Sequence, residues 1–279
     1  WWTGMRPSRY ITQHIVAGFG HLKELGALEL NRDATMQQMT ERAILWLDRA
    51  VADDYQRMRR TIKGDTLPKP GSEDIQYLYA RSFFPKRPID RGKGTAAAWI
   101  IENAQRHWLD YGLQEQAMIA LALQRITDER SVPQLIIESL SQRATRSEEL
   151  GMYWKGAAAG FNWNQLPTET HALMVEAFDR VAQDKASVDA LRLYLLKLKQ
   201  TTDWKTTKAT ADACYALLLT GDDWLAEKAP PTITVGNERV KATAQEAGTG
   251  FFEERWTGEQ VKPAMGDVTV TTTADGAQW

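Results

Sequence analysis

The sequence predicts a mainly α-helical protein made of repeated helical hairpins stacked around a common core, followed by a short β segment. Three observations predict it. Apolar residues recur at i, i+3, i+4 and i+7 through most of the chain. A unit of Trp, short loop, Ser/Thr-rich start and buried helix occurs three times, which is the mark of stacked supersecondary units. After Pro230-Pro231 the pattern changes to alternating segments separated by glycine turns.

The three units begin at Trp2, Trp163 and Trp204. Trp2 is followed by Pro7-Ser8 and Tyr10-Ile11. Trp163 is followed by Pro167-Thr168-Glu169-Thr170 and then Ala172-Leu173-Met174. Trp204 leads Lys205-Thr206-Thr207 into a helix whose Ala211, Cys214, Tyr215 and Leu218 share one face, expected to be buried, with Gly221 as the stop.

In chain order, a first helix is expected from about Ser8 to Leu25, with Pro7 just before it, Ile11, Ile15, Phe19 and Leu22 inward, and Gly18 and Gly20 allowing close helix contact. A second runs from about Thr35 to Arg60 on a stripe of Met36, Met39, Ala43, Trp46, Leu47 and Ala50. The Gly64 to Gly71 stretch, with Pro68 and Pro70, is a loop. A short helix from Glu73 to about Phe84 points Ile75, Leu78 and Tyr79 inward. The next loop carries Lys86, Arg87, Arg91 and Lys93, which could hold an anion but read better as a solvated cluster, since no glycine-rich phosphate motif accompanies them.

A helix from Thr95 to Asp110 follows, with Ala97, Ile100, Ile101, Ala104 and Trp108 on one side. Two more place Ile119, Ala122, Leu123 and Ile126, then Ile136, Ile137 and Leu140, in the core. The segment from Tyr153 to Trp163 reads as an ordered aromatic, glycine-rich loop. Met174, Ala177, Phe178 and Val181 stripe the helix from Pro167; Asp184 to Ala186 turns the chain; Val188, Leu191, Leu195 and Leu198 stripe the next helix. Beyond Pro231, Thr232 to Val235, a Gly236-Asn237 turn and Arg239 to Ala242 form a hairpin, with Gly250-Phe251-Phe252 and Val268-Thr269-Val270 as further strands. The expected domains are residues 1–221 and 222–279.

The 279 residues are 43% hydrophobic and 25% charged, an ordinary globular composition. A net charge of −2 gives no global field for nucleic acid or an anionic membrane, and no run approaches the roughly 18 apolar residues of a membrane span. The single cysteine, Cys214, cannot form an internal disulfide and reads as an inert core residue. With Trp1-Trp2 at one end and Asp275 to Trp279 at the other, the chain reads as a fragment of something longer.

Gly4-Met5-Arg6-Pro7-Ser8-Arg9-Tyr10-Ile11-Thr12, Pro167-Thr168-Glu169-Thr170-His171-Ala172-Leu173 and Trp204-Lys205-Thr206-Thr207-Lys208-Ala209-Thr210 resemble, in order and spacing, the bacterial α2-macroglobulin family of the Bacteroidetes type. The resemblance covers most of the chain. It implies that Trp1 to about Gly221 is most of an α/α toroid of the thioester-domain, terpenoid-cyclase-like kind. The strands after Pro231 would begin an adjoining, incomplete β-sandwich module. A complete ring would carry about a dozen helices, more than the nine or so legible here, so an N-terminal portion is expected to be missing. By resemblance the function is protease trapping in the periplasm or cell envelope, with target proteases and neighbouring β domains of the same chain as partners. The family's Cys-x-Glu-Gln thioester is absent: Cys214 precedes Tyr215-Ala216-Leu217, and Gln114-Glu115-Gln116 has no cysteine beside it. No bait region is present, and no reactive residue carries over.

Enzyme readings of a helical toroid fare poorly. Asp53-Asp54 runs into Tyr55-Gln56-Arg57 and fits neither aspartate motif of a terpene cyclase. Asp212-Ala213-Cys214 resembles half of a prenyltransferase zinc site, but His14, His21, His107 and His171 all precede it and the ligand order is wrong. Glu169, Asp179 and Asp203 could face one another as glycosidase carboxylates, yet no spacing selects them, and a first-turn Glu169 is explained by the helix dipole. His171 reads as a satisfied core or capping histidine. Trp154, Phe161, Trp163 and Trp204 lie in loops that stacking would gather at one end of the ring. They make either a recognition patch for a ligand such as carbohydrate or, in the favoured reading, a plug that braces the loops. No catalytic residue, metal or cofactor is expected, and the reading is of a scaffold without catalysis of its own; the alternatives are a carbohydrate-active enzyme and a bare interaction scaffold.

Overall fold

The protein is represented by a computed structural model that describes residues 7–30, 32–62, 67–155, 167–202, 204–221, 232–240 and 254–271. It is mainly helical and divides into two compact units, Trp1–Thr220 and Gly221–Trp279. In the first unit the described helices are α1 (Arg9–Glu24), α2 (Ala34–Thr61), α3 (Ser72–Ser82), α4 (Ala96–His107), α5 (Leu113–Ile126), α6 (Ser131–Arg143), α7 (Pro167–Ala177), α8 (Lys185–Thr202) and α9 (Thr207–Thr220). Among the described residues no helix is long and apolar enough to cross a membrane.

Local chemistry sets the helix starts. Ser8, Asp33 and Thr95 each accept the backbone N–H three residues on, which satisfies an otherwise orphaned donor. Glu73 and Asp74 supply negative charge to the first turn of α3. α7 continues into a single π turn, Phe178–Ala182, which ends on Gln183 in the left-handed region (φ 54°).

The odd-numbered helices pack in a row: α1 on α3, α3 on α5, α5 on α7, α7 on α9. The even helices flank it, α2 against α1 and α3, α4 against α3 and α5, α8 against α7 and α9. α5 sits mid-row and is buried without interruption from Glu115 to Leu123, as a helix with neighbours on all sides must be. Ion pairs fix the direction of the row. Arg9 near the start of α1 meets Asp74 at the start of α3 (2.7 Å), and Lys208 at the start of α9 meets Glu169 at the start of α7 (3.0 Å).

The expected inward faces hold for α3 to α8: Ile75, Leu78, Ile100, Ile119, Leu123, Ile136, Leu140, Met174, Phe178, Leu191 and Leu195 are all buried. They hold only in part for three helices. On α1 the buried face is Thr12, Gln13, Val16, Ala17 and Gly20, while Ile11, Ile15 and Leu22 are exposed. On α2 Leu47 is buried as expected and Ala43 and Trp46 pack against the core, but Thr40, Ile44, Val51 and Tyr55 complete the buried face and Met39 is half exposed. On α9 Tyr215 is buried as expected, together with Ala209, Ala213, Ala216 and Leu217, while Leu218 is exposed and so is Cys214, which is therefore not a core cysteine. The reason is distance. On α1 and α9 the small-residue face is the contact face, because it lets backbones approach. A Cβ on Gly20 would lie 2.4 Å from Cγ of Phe83, whereas Gly18 faces open space and makes no such contact.

One element escaped the sequence reading: a two-stranded antiparallel hairpin, β1 (Thr145–Ser147) with β2 (Gly151–Tyr153), pairs Arg146 with Met152. Gly151 has φ +79° and lies so close to α8 that a Cβ would strike the carbonyl oxygen of Ala190. In the second unit β3 (Thr232–Val235), β4 (Glu238–Arg239) and β5 (Val268–Thr271) form one antiparallel sheet in the order β4-β3-β5. The Gly236-Asn237 turn holds as read, with Val235 opposite Glu238, and the Val268 strand pairs with β3. Lys241-Ala242 and Gly250-Phe251-Phe252 lie outside the described residues.

Gly20→Ala is expected to destabilise the first unit by about 1–3 kcal/mol through overpacking on Phe83. Gly18→Ala is expected to stabilise it by up to about 1 kcal/mol through helix propensity. Urea unfolding of the two variants beside the parent chain checks the contrast.

Candidate functional site

Each odd helix contributes one polar side chain to a network inside the first unit: His21 from α1, Tyr79 from α3, Arg125 from α5, Glu176 from α7 and Tyr215 from α9. Glu176 is the acceptor at its centre. Its carboxylate receives the Tyr79 hydroxyl at 2.6 Å, the Tyr215 hydroxyl at 3.0 Å and an Arg125 N–H in an ion pair. Because the Tyr79 proton goes to Glu176, the bond of 2.9 Å between His21 Nε2 and Tyr79 Oη has the imidazole N–H donating. The His21 ring stacks on Tyr215 with centroids 3.8 Å apart and planes 8° from parallel. Arg125 lies over the Phe83 ring, 4.0 Å from its centroid, and Nη1 reaches Ser82 Oγ at 3.4 Å.

The electrostatics follow from burial against partners. Burial alone would raise the Glu176 pKa, but the Arg125 guanidinium overrides it and the carboxyl sits below its ordinary value. Burial, with Glu176 beside them, holds the Tyr79 and Tyr215 hydroxyls protonated well above the ordinary tyrosine range. Burial lowers the His21 pKa, so the ring is neutral near pH 7. The result is a one-to-one ion pair with its neutral donors in place. Glu176 accepts from donors on three helices and so ties α3, α5 and α9 to α7.

A second polar tier lies toward the starts of these helices. Lys208 joins Glu169 to Asp212 (2.9 Å), and burial followed by the Lys208 charge lowers the pKa of His14. Glu169, read as dipole-complementing, is buried in this ion pair at the first turn of α7. Asp179 pairs with Arg180 at 3.4 Å, and Asp203 lies outside the described residues. Among the described residues no group of three or more His, Cys, Asp or Glu side chains is placed to hold a metal.

Of the four aromatic candidates, Trp154 and Trp204 are each only 6% exposed. Their indole N–H groups donate to backbone carbonyls, Trp154 to Leu140 (2.9 Å) and Trp204 to Leu195 (3.2 Å). Both brace neighbouring elements and present little ring face to a ligand. Phe161 and Trp163 lie outside the described residues. His171 is a core histidine: Nε2 donates to the Leu191 carbonyl at 2.8 Å, and burial depresses its pKa to about 4. In the expected basic loop Arg87 pairs with Glu41 and Arg91 donates to the Ile126 carbonyl (2.6 Å).

No protein-family model matches the chain. No curated protein matches it either.

The five-helix network was invisible in the sequence, since its members are far apart and obey no local spacing. The available signal was polar residues with no solvent-side role on otherwise buried helices, Arg125 and Glu176 above all.

Two outcomes are expected. Glu176→Leu leaves Arg125 buried without its partner and costs about 3–5 kcal/mol, Tyr215→Phe costs about 1 kcal/mol, and adding Arg125→Met to Glu176→Leu restores much of the loss; equilibrium unfolding measures all three. For His171 the folded state resists a proton that the unfolded chain takes up below its ordinary pKa of 6.5. Its contribution is complete above that pH and is lost as pH falls toward about 4, by roughly 3 kcal/mol across the window. Denaturation at pH 7 and at 4.5 reads this, with the pH dependence reduced in His171→Gln.

Proposed function

We propose that the helical unit is an α/α toroid and serves as the scaffold of an α2-macroglobulin-like, protease-trapping inhibitor, without catalysis of its own. The observation that carries this reading is the odd-helix row, each member packed on the next, flanked by even helices and joined at the centre by one buried network. Hairpins arranged around a common centre produce that pattern. The described residues among those quoted for the family resemblance, 7–12, 167–173 and 204–210, fall at the starts of α1, α7 and α9, three members of the row. The exposed apolar stripe of α1 (Ile11, Ile15, Leu22) and exposed Leu218 of α9 also favour a ring in which a further helix covers them. His21 on Tyr215 already brings these two helices together.

A scaffold role also suits the interior chemistry, because Glu176 and Glu169 are both held in ion pairs. In this reading the target proteases engage the full-length protein, the sheet of β3 to β5 belongs to an adjoining β module, and the setting is the periplasm or cell envelope. Burial of Trp154 and Trp204 weighs against a carbohydrate platform built on them.

The test incubates the full-length parent protein with a broad-specificity protease. Trapping predicts that cleavage of a small chromogenic peptide persists while cleavage of a large protein substrate is blocked. Equal cleavage of both substrates, with and without the parent protein, rejects the reading.

A further inference from the structure

One cavity of the helical unit lies apart from the central network. It has a volume of about 640 Å³ and lies between the end of α1, the segment after it, the middle of α2 and the loop after α3. That volume falls within the range of about 300–1,000 Å³ typical of small-molecule sites. Its wall is hydrocarbon. Ile44 and Phe84 are core residues, Leu28 and Leu30 close one side, and Pro85 closes another. Thr40 also lines it, but its hydroxyl already donates to the Met36 carbonyl at 2.8 Å and adds no free donor.

The rim is charged and uneven. Arg87 is matched by Glu41, and Glu29 by Arg32 at 2.7 Å, so these charges cancel in pairs. Two ammonium groups remain without a carboxylate partner among the described residues. Lys23 Nζ donates to the Phe83 carbonyl at 2.8 Å and stands 5.7 Å from the Phe84 ring centroid, at the junction of wall and water. Lys86 is exposed on the opposite loop and makes no ion pair. A deep apolar wall beneath two uncompensated cations is complementary to one ligand class, a hydrocarbon chain with a single anionic head.

We infer that this cavity binds a free single-chain fatty carboxylate, its chain against Ile44, Leu30 and Phe84 and its carboxylate between Lys23 and Lys86. The chain contributes through removal of apolar surface from water, and the two ammonium groups supply charge selectivity at a rim that remains wetted. This inference is independent of protease trapping and is tested on the chain as it stands.

Dodecanoate below its micelle concentration is titrated into the 279-residue chain by calorimetry, beside dodecyltrimethylammonium and dodecanol as cationic and neutral analogues. One-to-one saturation by dodecanoate is expected, with both analogues about ten-fold weaker or more. Lys86→Glu, an exposed change, is expected to weaken dodecanoate about ten-fold and to narrow its advantage over the cation. Leu30→Trp, which fills the cavity, is expected to reduce binding of all three amphiphiles. Circular dichroism and melting of both variants confirm that the fold is retained, and Lys86→Gln, weakening dodecanoate less than Lys86→Glu, separates charge from shape. Absence of saturation, equal affinity for the cationic analogue, or unchanged affinity in Lys86→Glu overturns the inference. So does flotation of the chain with phosphatidylglycerol vesicles when free dodecanoate does not bind, which would make the patch a membrane contact instead.

Discussion

The carboxylate of Glu176 takes donors from three other helices, and through Tyr79 it reaches a fourth, so the placement of all five odd helices is tied to one buried charge. A carboxylate removed from water without partners costs several kcal/mol or shifts its pKa until it is neutral. Here Arg125 prevents that shift, and the two tyrosine hydroxyls add neutral donors to the carboxylate. Arg125 in turn depends on Phe83 for a surface to lie on and on Ser82 for an additional contact. Removing any one helix would strand polar groups contributed by the others. A network of this kind adds less to net stability than apolar packing would, but it penalises alternative registers of the row, because each helix has one position at which its polar group finds its partner.

Close approach is the second constraint, and it decides which faces are inside. α1 can place His21 beside Tyr79 and Tyr215 because Gly20 lets its backbone come against Phe83. α9 turns Ala209, Ala213 and Ala216 inward for the same reason, and α7 packs on it more extensively than any other helix pair in the unit. Small residues at the contact bring the axes together and bring the polar groups within reach. The bulkier apolar residues of α1 and the exposed flank of α9 are left at the surface.

Interior and rim therefore divide the work. The interior is charge-balanced in two tiers, Glu176 with Arg125 and Glu169 with Lys208, and each acid is committed to a cation. Such an interior holds shape. At the loops and helix ends, where the proposed amphiphile site lies, Lys23 and Lys86 border an apolar hollow. A rigid body with recognition at its edges is what a trapping scaffold requires, and it is compatible with a small amphiphile seated at one end.

The sequence by itself determined the helical class, the order and approximate bounds of the helices, the inward faces of α3 to α8, the Gly236-Asn237 hairpin and the role of His171. These were legible because each depends on residues within a turn or two of one another: apolar periodicity, capping side chains, a two-residue turn. The parts of the inward faces of α1, α2 and α9 that depart from their apolar stripes, the exposure of Cys214, the hairpin of β1 and β2 and the Glu176 network were decided by tertiary structure. Large apolar residues marked the wrong side of α1 and α9 because backbone proximity, which favours Gly20 and Ala213, is a property of two helices and not of one. The network was hidden for the same reason: Arg125 and Glu176 have no reason to be buried until the helices that carry them meet, and only their meeting supplies the partners that make burial affordable.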